Sequence, residues 1–153
     1  MYPKEITYHD FNDVELTETF YFNLSEAELA KMELTTEGGL RAYIKKILAA
    51  HDMPALTRLF DRLILASYGI KSDDGKRFMK KCPTDGHMYA DDFKETDAYS
   101  VLFMQLCSDD NAASDFLNGV IPANIAAKVK EIEEEEKKNK NTIDGKVTPL
   151  SKE

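Results

Sequence analysis

No stretch of the chain approaches the ~20 consecutive apolar residues that a membrane helix needs, so no transmembrane segment is expected. Cysteine is scarce: Cys82 and Cys107 cannot build a disulfide framework, which points to free thiols in a reducing compartment. Met1 to Asp10 is polar and carries acids and a base, so no signal peptide is expected. Bases are outnumbered, 20 Lys and Arg against 28 Asp and Glu, for a net charge of −8. That balance makes a poor general nucleic-acid binder, because phosphate affinity comes from Lys and Arg. There is no internal repeat of solenoid type.

What is present is core material. Apolar residues make up 42% and charged residues 31% of 153 positions, outside the low-hydrophobicity range of disordered chains. The length suits one domain. Composition leads to an expectation of a soluble, acidic, intracellular protein.

Catalytic and metal motifs are thin. His87 and Asp91 stand four apart and could share a helix face, but two ligands do not make a metal site. Asp109-Asp110-Asn111 lacks the spaced oxygens of a calcium loop. Cys82 lies five residues before His87, yet proximity in sequence does not orient a base, and no glycine-rich phosphate loop accompanies them. No cofactor and no enzymatic activity are expected.

Charge is not evenly spread. Residues 1–37 carry a net −7, residues 38–81 a net +6, residues 82–130 a net −5 and residues 131–153 a net −2. The basic middle block is the candidate protein-binding surface, with Arg41, Lys45, Arg58, Arg62, Lys76 and Arg77 as its candidate residues. An acidic protein segment, another copy of the chain included, is its natural complement.

The expected fold is α+β and mainly helical. Ile6, Tyr8 and Phe11, a turn at Asn12-Asp13, and the aromatic and β-branched run from Val14 to Phe22 form a β-hairpin over 4–22. A lone hairpin is marginal in water, so it must pack on the body or pair with a neighbour. A bundle of about five to six helices follows over 25–138. Ser25 and Glu28 have capping-box spacing, Gly38-Gly39 is a break, and Pro54 opens a helix that Gly69 closes. Ser72 to Gly75 is the turn of a second small hairpin linking Ile70 to Phe78. Cys82 to Gly86 is a further break. Thr96 or Asp97, then Ser108 or Asp109, cap two more helices, the second ending at Asn118-Gly119. Pro122 opens the last helix, with Ile125, Val129 and Ile132 on one stripe. The chain reads as one globular domain over 1–138 with a flexible tail over 139–153.

The run from Glu5 to Leu29, EITYHDFNDVELTETFYFNLSEAEL, resembles the start of the tail assembly chaperones of long-tailed, siphovirus-type bacteriophages of Gram-positive hosts. Further matching segments are Gly38 to Leu40, LILASYG from Leu63, SDDGKRF from Ser72, AYSVLF from Ala98 and FLNGVIP from Phe116, covering about residues 4–125 in one order. The segment Cys82 to Asp92 fits that pattern least. The resemblance implies a chaperone that binds the long helical tape measure protein in the host cytoplasm, keeps it soluble and helps recruit the major tail tube protein. It also implies absence from the finished virion, and no cofactor, nucleic-acid or membrane partner. In such families a ribosomal frameshift near the end often yields a longer form, and Lys137-Lys138-Asn139-Lys140 is where A-rich codons would allow it. Alternating charge blocks would let copies meet head to tail in a ring or spiral. The competing expectation is a small acidic phage protein that binds and inhibits a host factor.

Overall fold

The computed structural model describes residues 1–122, 134–135 and 137–140. Among these residues the chain is α+β and mainly helical, with an antiparallel strand pair at the N-terminus, as expected. Strand β1 (Tyr2–His9) pairs with β2 (Glu15–Phe22) from Tyr2↔Phe22 to His9↔Glu15. Asp10 builds the turn between them. Its carboxylate accepts hydrogen bonds from the N–H groups of Asn12 at 2.8 Å and Val14 at 3.0 Å, and Asp13 takes the left-handed conformation at φ 60°. Alternation along the strands sorts the two faces. Ile6 and Phe22 are buried, with Tyr2, Tyr8 and Phe20 packed beside them, while Thr7 and Thr17 pair through their hydroxyls on the exposed face.

Helix α1 (Glu26–Thr35) starts where the capping-box spacing puts it: Ser25 Oγ accepts from the Glu28 N–H. Gly39 at φ 92° is the N-cap of α2 (Leu40–Ala49) and has no side chain to cap with. Glu33 supplies the acceptor instead, its carboxylate 2.7 Å from the Leu40 nitrogen. Helix α3 (Met53–Ser67) has Asp52 as its N-cap and Pro54 in its first turn. The apolar stripes of α2 and α3 are buried at Leu40, Ile44, Ile47, Leu59, Phe60, Leu63 and Ile64.

Gly69 does not close α3. The backbone turns extended at Tyr68, and β3 (Tyr68–Lys71) pairs with β2 through Tyr21↔Gly69 and Phe22↔Tyr68. β4 (Phe78–Met79) completes the expected small hairpin through Ile70↔Met79 and Lys71↔Phe78. The N-terminal hairpin is therefore half of a four-stranded antiparallel sheet of order β1-β2-β3-β4.

The six-residue α4 (Tyr89–Lys94) is too short to leave a periodic signal, and it buries Ala90 and Phe93. Thr96 caps α5 (Asp97–Ser108) and Asp109 caps α6 (Asp110–Val120). Helix α6 continues through Asn118-Gly119, past its expected end. Residues 134–135 and 137–140 are helical and exposed. The stripe of Ile125, Val129 and Ile132 lies outside the described residues, as do residues 141–153 of the tail expected over 139–153, whose first two residues are in the helical stretch. No helix among the described residues is long and apolar enough to cross a membrane.

The sheet and helices meet in an aromatic core. Phe22 is fully buried, with the rings of Tyr68 and Phe93 each 5.9 Å away and that of Phe116 at 5.5 Å. Tyr68 stacks on Phe93 at 4.4 Å. Such pairs add ~0.5–1.5 kcal/mol each beyond the area they bury. Lys80 closes the lower edge: its ammonium donates to the carbonyls of Asn23 and Ala66 at 2.7 and 2.5 Å, and to the Glu28 carboxylate at 3.3 Å.

Candidate protein-binding groove

Helix α2 and the start of α3 face α6 and the end of α5 across a groove of about 540 Å³. Its floor is apolar, built from Ile44, Ile47, Leu56, Ala113 and Leu117, and it is edged by Arg41, Lys45, His51 and Asp110. The stripe on α2 is wider than the core it meets. Ile44 and Ile47 turn inward and are buried, whereas Leu48 at the end of that stripe is 43% exposed. Met53, where α3 begins, is 47% exposed on the same lip. Apolar surface left in water forgoes ~25 cal/mol per Å² of burial, and a contiguous patch beside a groove marks a place where another chain can sit. An apolar floor with a polar rim suits one face of an amphipathic helix.

The sequence-based binding residues are placed on three different elements. Arg41 and Lys45, one turn apart on α2, line the groove. Arg41 is half-buried and donates from Nη2 to the Ile121 carbonyl at 2.7 Å, tying α2 to the end of α6. Its Nε is buried with no partner among the described residues. Lys45 is exposed at the rim. Arg58 and Arg62 are one turn apart on the exposed side of α3, and Lys76 and Arg77 sit on the turn between β3 and β4. None of these four lines the groove. Sequence reading does not reveal the groove itself, since Leu48 and Leu117 look like ordinary stripe positions. A second exposed apolar point is the hairpin tip, where Phe11 is 85% and Val14 50% exposed.

A polar cluster occupies the loop before α4. The Cys82 N–H donates to the His87 carbonyl at 2.8 Å and the Gly86 N–H to the Cys82 carbonyl at 2.9 Å, folding residues 82–87 into a tight turn. One ligating atom each of Cys82, Asp85 and His87 lies within 4.8 Å of the other two. His87 precedes α4, so it does not share a helix face with Asp91. Its Nδ1 is 2.5 Å from the Asp85 carboxylate and its Nε2 is 2.6 Å from that of Asp92. The two carboxylates push the imidazole up to about 9. The His87 backbone N–H and side chain pull Asp85 down to about 2. The backbone N–H groups of Asp85 and Thr84 lower the Cys82 thiol. Cys107 differs: burial raises its thiol.

A family model described as phage tail assembly chaperone matches the chain over residues 1–153. No curated protein and no solved structure matches it.

Proposed function

The chain belongs to the phage tail assembly chaperone family, and from that membership we propose that it binds the tape measure protein before the tail tube closes around it. The family role is non-enzymatic. The groove between α2, α3, α5 and α6 supports the reading most directly. A tape measure protein is long and helical, with apolar surface that stays in water until the tube encloses it. The apolar floor at Ile44, Ile47 and Leu117 offers that surface a temporary cover, and Arg41 and Lys45 stand ready for acids flanking it. A net charge of −8 keeps free copies soluble and apart.

The same proposal extends to assembly. Many copies coat one tape measure chain in the host cytoplasm, in a siphovirus-type phage of a Gram-positive host. Copies meet through the basic residues of α3 and an acidic segment of the next copy, forming a ring or spiral, and the coat helps recruit the major tail tube protein. The chaperone then leaves, so the finished virion lacks it.

Co-expression with the tape measure protein tests this. The expected result is a soluble tape measure protein that co-elutes with several copies of the chaperone. An insoluble tape measure protein, with the chaperone running alone, would overturn the reading.

A further inference from the structure

We propose that Cys82, Asp85 and His87 form a binding site for a divalent transition-metal ion of the Zn²⁺ class. Thiolate, imidazole and carboxylate are the donors such an ion takes. A tetrahedral site with ordinary bond lengths sets its donor atoms roughly 3.3–3.6 Å apart. The three donor atoms lie within 4.8 Å of one another, and the Asp85 carboxylate stands 2.5 Å from His87 Nδ1, so a small opening of that pair gives the spacing a metal needs.

The ordering of partners around His87 separates this site from an incidental ion-pair cluster. The Nδ1 side of the ring faces Asp85, which with Cys82 makes up the rest of the donor set. Nε2 faces Asp92, which stands on α4 and outside that set. A metal-bound histidine characteristically donates its second N–H to a carboxylate, which fixes the tautomer and the ring orientation. Asp92 occupies that position.

The turn itself is preset. The backbone bonds joining Cys82 to Gly86 and His87 hold two of the three donor residues without any metal. Access is open, because 39% of the His87 side chain and 63% of the Asp85 side chain are exposed. Binding displaces the thiol proton and the Nδ1 proton to solvent, with no change of oxidation state. Three protein donors leave the fourth position for water or for a donor from another chain.

Titration of the metal-free protein with Co²⁺, followed by Zn²⁺ displacement, tests the site. The expected result is a near-ultraviolet thiolate-to-cobalt band that saturates at one ion per chain and disappears on adding Zn²⁺. Cys82→Ala and His87→Ala abolish the band, and Cys107→Ala keeps it. Asp92→Asn keeps the band but weakens affinity ~10–100-fold. Zn²⁺ also slows alkylation of Cys82 in the unaltered protein and leaves Cys107 unaffected, a readout that does not depend on any variant folding. No thiolate band, a band that survives in folded Cys82→Ala, or equal alkylation of Cys82 with and without Zn²⁺ would each overturn the proposal.

Discussion

The ring of Tyr2 fills the space that a side chain at Gly119 would need: a Cβ there would stand 2.4 Å from Cδ2 and 2.7 Å from Cγ of the ring. Tyr2 opens β1 and Gly119 lies in the last turn of α6, so this contact seats β1 on α6. Tyr2 also meets Phe116 edge-on at 5.8 Å. Alanine favours a helix over glycine by ~1 kcal/mol, yet here the ring would have to move. Gly119→Ala is expected to lower stability by ~1–3 kcal/mol in denaturant titration. In a Tyr2→Ala background the sign reverses, because only the helix preference remains. The same sign in both backgrounds would show that the ring does not decide the matter.

Lys80 binds three elements at once, through Asn23, Ala66 and Glu28, and burial lowers its ammonium from the ordinary lysine value. Lys80→Met keeps most of the length of the side chain and removes every donor. It leaves acceptors at the ends of β2 and α3 without this partner, and a loss of ~1–3 kcal/mol is expected by thermal or chemical unfolding. Lys71→Met, an exposed neighbour on β3, is the control and should leave stability nearly unchanged.

The basic block divides by role. Arg41 holds α2 to Ile121, whereas Arg58 and Arg62 are exposed on α3. Arg41→Glu is expected to lower the unfolding midpoint. Arg58→Glu with Arg62→Glu should leave the midpoint in place and reduce self-association in sedimentation. Sedimentation of the double variant that matches an associating wild type would remove α3 from the contact between copies.

The local signals in the sequence were legible where one residue settles the outcome. Ser25 caps α1, Thr96 and Asp109 are the cappers out of the two pairs the sequence offers, Pro54 falls in a first helical turn, and Asp13 lies in the hairpin turn, whereas the part Asp10 plays there comes only from the structure. Features that depend on distant partners were not legible. Tyr68 and Gly69 leave the helical path because Phe22 and Tyr21, far away in sequence, offer a strand to pair with. Helix α4 owes its place to Phe93 stacking on Tyr68, not to any periodicity of its own. The groove is a gap between helices, and no single stripe encodes a gap. His87 is legible as a metal-type residue, but Asp85 is brought to it by the turn at 82–87, where the sequence signals only a break.

Two hydrogen-bonded tyrosines couple stability to alkaline pH. The Tyr99 hydroxyl donates to Asp61, and burial with that bond raises its pKa well above the ordinary 10.0. The Tyr8 hydroxyl donates to Glu18, and its pKa is pushed up to about 12. Both phenols are held neutral in the folded chain. Below about pH 10 folded and unfolded states carry the same proton and the contribution is complete. Above it the unfolded chain releases protons that the folded chain keeps, so stability falls as pH rises. Tyr99→Phe should therefore lower stability at neutral pH and flatten its decline above about pH 10. An equally steep decline in Tyr99→Phe would place the effect on other groups.

Binding and folding can be separated at the lip of the groove. Leu48 and Met53 are large, apolar and nearly half exposed, so replacing them disturbs little of the core. Leu48→Asp and Met53→Asp should each leave the chain folded, with a stability loss of no more than ~2 kcal/mol. If the groove receives the tape measure protein, each places a carboxylate against an apolar surface that must be desolvated on docking, and recovery of the tape measure protein in co-purification should fall at least tenfold. Phe11→Ser at the hairpin tip, 85% exposed and distant in sequence from the groove helices, is the comparison and should retain binding. Loss in Phe11→Ser with retention in Leu48→Asp and Met53→Asp would move the binding surface from the groove to the tip.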